Sequence, residues 1–236
     1  MRGFSHVDTW VFDLDNTLYP ATCRLFDQID VKMGEFVSRL LNVDYPEAKR
    51  RQKEMFYKYG TTLRGLMTEH GITPDAFLDY VHDIDHSPVP QNALLDEALH
   101  RLPGRKLVFT NGTVAHAEKV LNRIGITHHF GDIFDIVHSD FIPKPEMEPY
   151  RKFIRQTGIR PETSAMFEDI ARNLEAPHAL GMTTVLVVSP ENRDAEHLNK
   201  ATGGTAQEHI HHLTDDLASF LANLTAPANS AKASAT

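Results

Sequence analysis

Cysteine occurs once in the 236 residues, at Cys23, and tryptophan once, at Trp10. A single thiol can close no internal disulfide and cannot build a cysteine-based zinc site, so nothing in the composition calls for an oxidising compartment. Positive charge is also scarce: 24 Lys+Arg stand against 32 Asp+Glu, a formal charge of −8. That balance argues against a nucleic-acid polymer or an anionic membrane as partner, and leaves room for a small anion in a local basic pocket. No run approaches the roughly 18 apolar residues of a spanning helix. The opening MRGFSHVDTW has no apolar segment of the signal-peptide kind, so a cytoplasmic location is expected. What is present is ordinary for a globular protein, 41% hydrophobic and 24% charged, and a chain of this length can bury enough surface to fold without a staple.

The texture along the chain is uneven. Residues Thr9 to Leu14 (TWVFDL) are a short apolar, β-branched and aromatic run, as in a buried parallel strand. From about Pro20 to Val89 the apolar residues recur at helical spacing (Leu25, Ile29, Met33, Phe36, Val37, Leu40, Leu41) and no strand pattern is seen. After Pro90 strands and helices alternate. Strands are expected over Lys106–Thr110, Ile133–Val137, Ser164–Phe167 and Thr183–Val188, with helices over Ala93–Arg101, Val114–Ile124, Glu148–Thr157 and up to Leu180. Such alternation implies right-handed βαβ units around a parallel sheet. The expected organisation is therefore an α/β core of residues 1–18 and 90–224, an all-helical insert of residues 19–89, and a disordered polar tail from residue 225. An insert leaving the end of the first strand would cover the carboxyl edge of the sheet, where open parallel sheets bind ligands.

The strand ends carry the chemistry. The first runs into Asp13-Leu14-Asp15-Asn16-Thr17, the second into Thr110-Asn111-Gly112-Thr113, the third leads on to Pro143-Lys144-Pro145, and the fourth ends in Glu168-Asp169. Hydrolysis of a phosphate monoester needs a nucleophile, a proton donor and enough positive charge to let an anion approach a dianion. A carboxylate such as Asp13 can attack phosphorus and divide the reaction into two easier steps, and a second carboxyl can serve as acid and then base. Magnesium, a hard cation, suits Asp13 and the Glu168-Asp169 pair. Thr110, the backbone at Asn111-Gly112, and Lys144 would hold the phosphoryl oxygens.

Singly these signals are weak. Thr-Asn-Gly is most simply a turn, Lys144 a solvated lysine, and Glu168-Asp169 a helix cap. The D-x-D string fails as a calcium loop, because Leu18 stands where a glycine is required. His82 and His86 have metal-ligand spacing, yet with Asp83, Asp85 and Ser87-Pro88 around them they read as a solvated hinge between insert and core. Lys49-Arg50-Arg51-Gln52-Lys53 reads as a solvated helix face. A pocket role for Tyr59 and Arg64, which flank the Gly60-Thr61-Thr62 break, is a further expectation.

Taken in order, the four strand-end segments resemble the haloacid dehalogenase superfamily of phosphohydrolases, over nearly the whole chain outside the tail. The resemblance implies a Rossmann-like parallel sheet with a helical cap. It makes Asp13 the nucleophile and Asp15 the acid/base, and gives Thr110, Asn111, Gly112 and Lys144 to phosphate. The metal set becomes Asp13, Asp15, Glu168 and Asp169, for Mg2+. Dehalogenase members lack the second aspartate, so Asp15 points to a phosphatase or mutase. The stretches VFDLDNTLYP, KYGTTLRGLMTEHGI, FLDYVHDIDHSPVPQN, LVFTNGTVAHAEKVLNRIGI, IPKPEMEPY and FEDIARNLEAPHALGMTTVLV are similar to the pyrimidine 5′-nucleotidase subfamily, which implies UMP or CMP as substrate. Another small phosphate ester, a mutase reaction and a non-catalytic sensor are the alternatives. Oligomeric state is not legible.

Overall fold

The computed structural model describes residues 3–189 and 208–225. Strand β1 (Thr9–Phe12) is followed by four helices, α1 (Leu25–Leu41), α2 (Tyr45–Tyr59), α3 (Thr62–His70) and α4 (Pro74–Val81). The core resumes with α5 (Ala93–Arg101), β2 (Arg105–Phe109), α6 (Val114–Ile124), β3 (Asp132–Phe134), α7 (Met147–Thr157) and β4 (Ser164–Glu168). It closes with α8 (Glu175–Ala179), β5 (Thr183–Val187), β6 (His212–Thr214) and α9 (Leu217–Thr225). The six strands form one sheet in the order β3-β2-β1-β4-β5-β6, and every pair is parallel.

Alternation along β1 explains the layers. Trp10 and Phe12 join Val108, Leu95, Leu99, Val120 and Leu221 on one face, whereas Val11 joins Leu107, Phe109, Tyr150 and Phe153 on the other. A central strand with apolar side chains on both faces can be satisfied only by helices above and below. The turn into β2 needs a glycine: Gly104 has φ +86°, and a Cβ there would lie 2.0 Å from the Asp8 carbonyl oxygen.

The four-helix cap has its own apolar centre, built from Ile29, Val37, Met55, Leu66, Phe77 and Val81, with Ile136 of the core packed into it. Local signals delimit its helices. Asp44 accepts a hydrogen bond from the Glu47 amide to start α2, and Thr61 accepts from the Arg64 amide to start α3. Helices α2 and α3 approach closely enough that a Cβ on Gly65 would sit 2.5 Å from the Met55 Cβ.

Most strand bounds fall within one or two residues of the sequence reading, and three differences stand out. The third strand stops at Phe134 because Asp135 turns the chain: its carboxylate accepts from the amides of Val114 and His138, each at 2.9 Å. β6 was not foreseen; its three residues are too few to show a period. The polar tail lies at residues 226–236, outside the described residues, and Thr225 closes α9. Among the described residues no helix is long and apolar enough to cross a membrane.

Candidate active site

The switch point of the sheet lies between β1 and β4, whose next neighbours run in opposite directions through the strand order. Phe12 pairs with Phe167 in register, and the Asp13 amide donates to the Phe167 carbonyl at 2.9 Å, so Asp13 emerges beside Glu168. Lys144 reaches both from the loop after β3. Its Nζ donates to Asp13 Oδ1 at 2.7 Å, to Glu168 Oε2 at 2.6 Å and to the Phe109 carbonyl at 3.0 Å. Only 2% of Lys144 is exposed. Burial works against its charge, but Asp13 and Glu168 overcome this and hold the ammonium protonated above its ordinary range.

Asp13 has the opposite problem. Burial and the neighbouring Glu168 push its carboxyl up to about 7, against the pull of Lys144. Asp169 is raised well above the ordinary carboxylate range, by burial and then by Glu168 and Asp13. Asp13, Glu168 and Asp169 can bring one oxygen each within 4.8 Å of one another. One ammonium cannot neutralise three carboxylates. Nearby, Asn173 donates its amide N–H to Glu168 Oε1 at 2.9 Å, leaving its buried Oδ1 without a partner among the described residues. Crowded anions and an orphaned amide oxygen form an all-oxygen donor set that fits a hard divalent cation. The Asp15 carboxylate, also expected in that set, does not fall within this group; its Oδ1 accepts from two other donors.

Those donors are Tyr19, whose hydroxyl lies 2.6 Å from Asp15 Oδ1, and His116, whose Nε2 lies 2.9 Å from the same oxygen. Burial alone would raise the Asp15 carboxyl. His116 and Tyr19 outweigh it and hold the group below the ordinary range. His116 sits in the first turn of α6, where its amide bonds the capping Thr113 hydroxyl. It escaped the sequence reading, although its place one turn after a strand-end Thr-Asn-Gly was an available signal. His82 and His86 correct the solvated-hinge reading. The His82 ring stacks on His116 with centroids 4.6 Å apart, and His86 Nε2 lies 3.3 Å from His116 Nδ1. Apolar α4 carries this segment inward, and the neighbouring aspartates take the solvent side.

Thr110 is buried at the end of β2, with Oγ1 accepting the Gly112 amide at 2.9 Å. Asn111 holds the Lys144 backbone, Oδ1 accepting its amide at 2.9 Å and Nδ2 donating to its carbonyl at 3.4 Å. The side chain of Asn111 thus positions the lysine loop. Asp13, Asp15, Thr110, Asn111, Gly112, Lys144, Glu168 and Asp169 all line one cavity of about 640 Å³ between sheet and cap.

The cap wall of this cavity includes Phe26, Met33, Phe56, Tyr57 and Phe77. It does not include Tyr59 or Arg64. The Tyr59 ring packs against the apolar centre of the cap, and its hydroxyl donates to Glu69 at an exposed position. Arg64 lies on α3 with Nη1 buried and unpartnered among the described residues. In the basic stretch of α2, Arg50, Arg51 and Lys53 are exposed, as on the solvated face expected, whereas Lys49 is half-buried and Gln52 buried. Lys49, Gln52 and Lys53 line the cavity, and Gln52, 6% exposed, bridges Lys49 (2.9 Å) and Asp30 (2.8 Å).

Comparison with known proteins agrees with this architecture. L-2-haloacid dehalogenase from Xanthobacter autotrophicus is similar in structure, with a TM-score of 0.55 over 93% of this chain and 97% of that one, at 16% identity. The HAD-hydrolase YfnB from Bacillus subtilis, in a magnesium-bound crystal form, gives 0.59 over 92% and 98%, at 14% identity. At such identities the likeness is one of fold. In sequence the chain is 28% identical over 193 residues to phosphate metabolism protein 8 of Saccharomyces cerevisiae, covering 74% of this chain and 60% of that protein's length. The family model described as haloacid dehalogenase-like hydrolase matches residues 7–181, most of the core and the whole cap, and the chain belongs to that family.

Proposed function

We propose that the protein is a Mg2+-dependent phosphatase that hydrolyses nucleoside 5′-monophosphates, pyrimidine nucleotides preferentially, through a phosphorylated Asp13. One observation carries this reading. The Asp13–Lys144–Glu168 cluster forms the floor of a cavity whose opposite wall is aromatic, so a phosphate on the floor leaves its organic group against Phe56, Tyr57 and Phe77. Ring faces suit a flat base. The retained Asp15 favours phosphoryl transfer over dehalogenation, and the yeast relative's name, phosphate metabolism protein 8, points the same way.

Each residue then has a task. Asp13 attacks phosphorus and the ester oxygen leaves, forming an acyl phosphate. Asp15 protonates that oxygen, then takes a proton from the water that cleaves the acyl phosphate. Its two donors favour the ionised form required of a base. An incoming phosphoryl dianion acts in the opposite sense and favours the protonated form required first. Lys144 and the Thr110 turn offset charge on the phosphoryl oxygens. A magnesium ion held by Asp13, Glu168 and Asp169 would supply the remaining positive charge. Base discrimination is assigned to Gln52 with Asp30 and Lys49 in place of Tyr59 and Arg64. The amide of Gln52 spends one N–H and one lone pair on its neighbours and keeps one of each for a ligand.

The test is a screen of phosphorylated metabolites for released phosphate, with Mg2+ and with EDTA. UMP or CMP should lead, and EDTA should abolish turnover. A sugar phosphate that outpaces every nucleotide overturns the substrate reading; undiminished turnover in EDTA overturns the metal.

A further inference from the structure

Asp15 is held from two directions, and both grips meet on one of its oxygens. Tyr19 belongs to the segment that leaves β1 for the cap, and its hydroxyl reaches Oδ1 at 2.6 Å. His116, 1% exposed, reaches the same Oδ1 from α6 at 2.9 Å. Behind His116 stand His86 and His82, both on the segment that returns from the cap to the core. Among the described residues Oδ2 has no hydrogen bond, and Asp15 lines the cavity.

We infer that His116 is a positioning residue for Asp15: with Tyr19 it fixes Oδ1, so that Oδ2 is the oxygen that exchanges the proton with the leaving group and with water, and His86 and His82 fix His116 in turn. The inference rests on the phosphatase reading and not on the identity of the substrate.

The hydrogen bonds have a necessary direction. An ionised carboxylate can only accept, so His116 Nε2 donates to Oδ1. Its Nδ1 meets His86 Nε2 at 3.3 Å, accepting the His86 N–H when the His116 ring is neutral and donating to that nitrogen when it is charged. Face-on stacking of His82 blocks rotation of the His116 ring about χ2, with the planes only 14° apart. A carboxyl free to rotate would present either oxygen. Two donors at one point fix the carboxyl plane: turning it aside loses both bonds at once, and in the acid form a half-turn would aim the O–H proton at the Tyr19 hydroxyl and the imidazole N–H, so the proton is carried on the oxygen away from them. Misplacing a proton donor by about an ångström is enough to cost on the order of 100-fold in rate. Because Tyr19 and His86 sit on the two segments joining cap to core, the arrangement also ties the orientation of Asp15 to the position of the cap.

The experiment separates positioning from mere support of the fold by varying the leaving group. Wild type, Asp15→Asn, His116→Ala, His116→Gln and His86→Ala are assayed on p-nitrophenyl phosphate and phenyl phosphate, with kcat/KM as readout. The nitrophenolate departs without a proton, whereas phenolate gains from one. His116→Ala should cut the phenyl ester about 30-fold or more and the nitrophenyl ester less than about threefold, following the pattern of Asp15→Asn at smaller amplitude. His116→Gln, which retains an N–H, should recover part of the phenyl activity, and His86→Ala should show the same split more weakly. Equal losses on both esters in His116→Ala and His86→Ala, alongside a clear split in Asp15→Asn, overturn the positioning role and leave the phosphatase reading intact. Absence of the split in Asp15→Asn overturns its role as acid, and this inference with it.

Discussion

Replacing Lys144 by Met removes one charge from the most crowded point of the molecule. The methionine fills nearly the same volume, so little of the effect comes from packing. What is lost is three hydrogen bonds from one ammonium, two to carboxylates at 2.6 and 2.7 Å and one to the Phe109 carbonyl at 3.0 Å. Lys144 and Glu168 side chains are each 1% exposed, so water cannot replace the bonds. Removing one partner of a buried ion pair costs about 3–5 kcal/mol, because the remaining charge has no compensation. For a chain of this size that corresponds to a fall in Tm of about 6–20 °C. The loss should be partly reversed by Mg2+, since the same carboxylates bind the cation and now need it more. Thermal melts and urea titrations with EDTA or with Mg2+ read both effects. Turnover should drop at least about 1000-fold, as expected when the charge that lets a dianion approach a carboxylate is gone. A variant that melts within about 2 °C of wild type in EDTA, or that retains a tenth of the activity, would refute this account of the site.

Asp13→Asn keeps the shape and removes the nucleophile, so turnover should vanish while Tm holds or rises, because a raised, crowded carboxylate has been neutralised; activity within tenfold of wild type would sink the covalent route. UMP or CMP should exceed AMP or GMP by at least about tenfold in kcat/KM, roughly 1.4 kcal/mol of differential transition-state binding. Gln52→Leu should shrink that ratio and spare p-nitrophenyl phosphate, whereas an unchanged ratio removes Gln52 from base recognition. Burial, and then the charge of His116, lower His82 from 6.5 to about 4. The folded state therefore resists protonating it, and its contribution is complete above pH 6.5 and is lost as pH falls toward 4, about 3 kcal/mol in all. His82→Gln should flatten the acid side of a Tm-against-pH curve; a curve as steep as wild type shows that other groups, His86 and Asp15 among them, carry the acid sensitivity.

Much of this protein is written locally. The alternation of Trp10, Val11 and Phe12 calls for a strand covered on both faces, and the helical spacing from Leu25 to Leu41 calls for the first helix of an insert. Polar segments at the ends of apolar strands are legible too, because parallel strands bring their carboxyl ends together whatever their separation in sequence. Asp13, Thr110, Lys144, Glu168 and Asp169 therefore share one cavity as their order along the chain implied. Contacts between elements are another matter. Asp15 and His116 are 101 residues apart, and His86 and His116 are 30 apart. Nothing in a local pattern says which of the 14 histidines will meet a carboxylate. Periodicity alone also left open which side of α2 turns inward, so Gln52 was hidden in a basic run while Tyr59 and Arg64 stood out beside a glycine break. Those choices depend on how the cap seats on the sheet, and burial, which sets the cost of every unpaired polar group, exists only once it has done so.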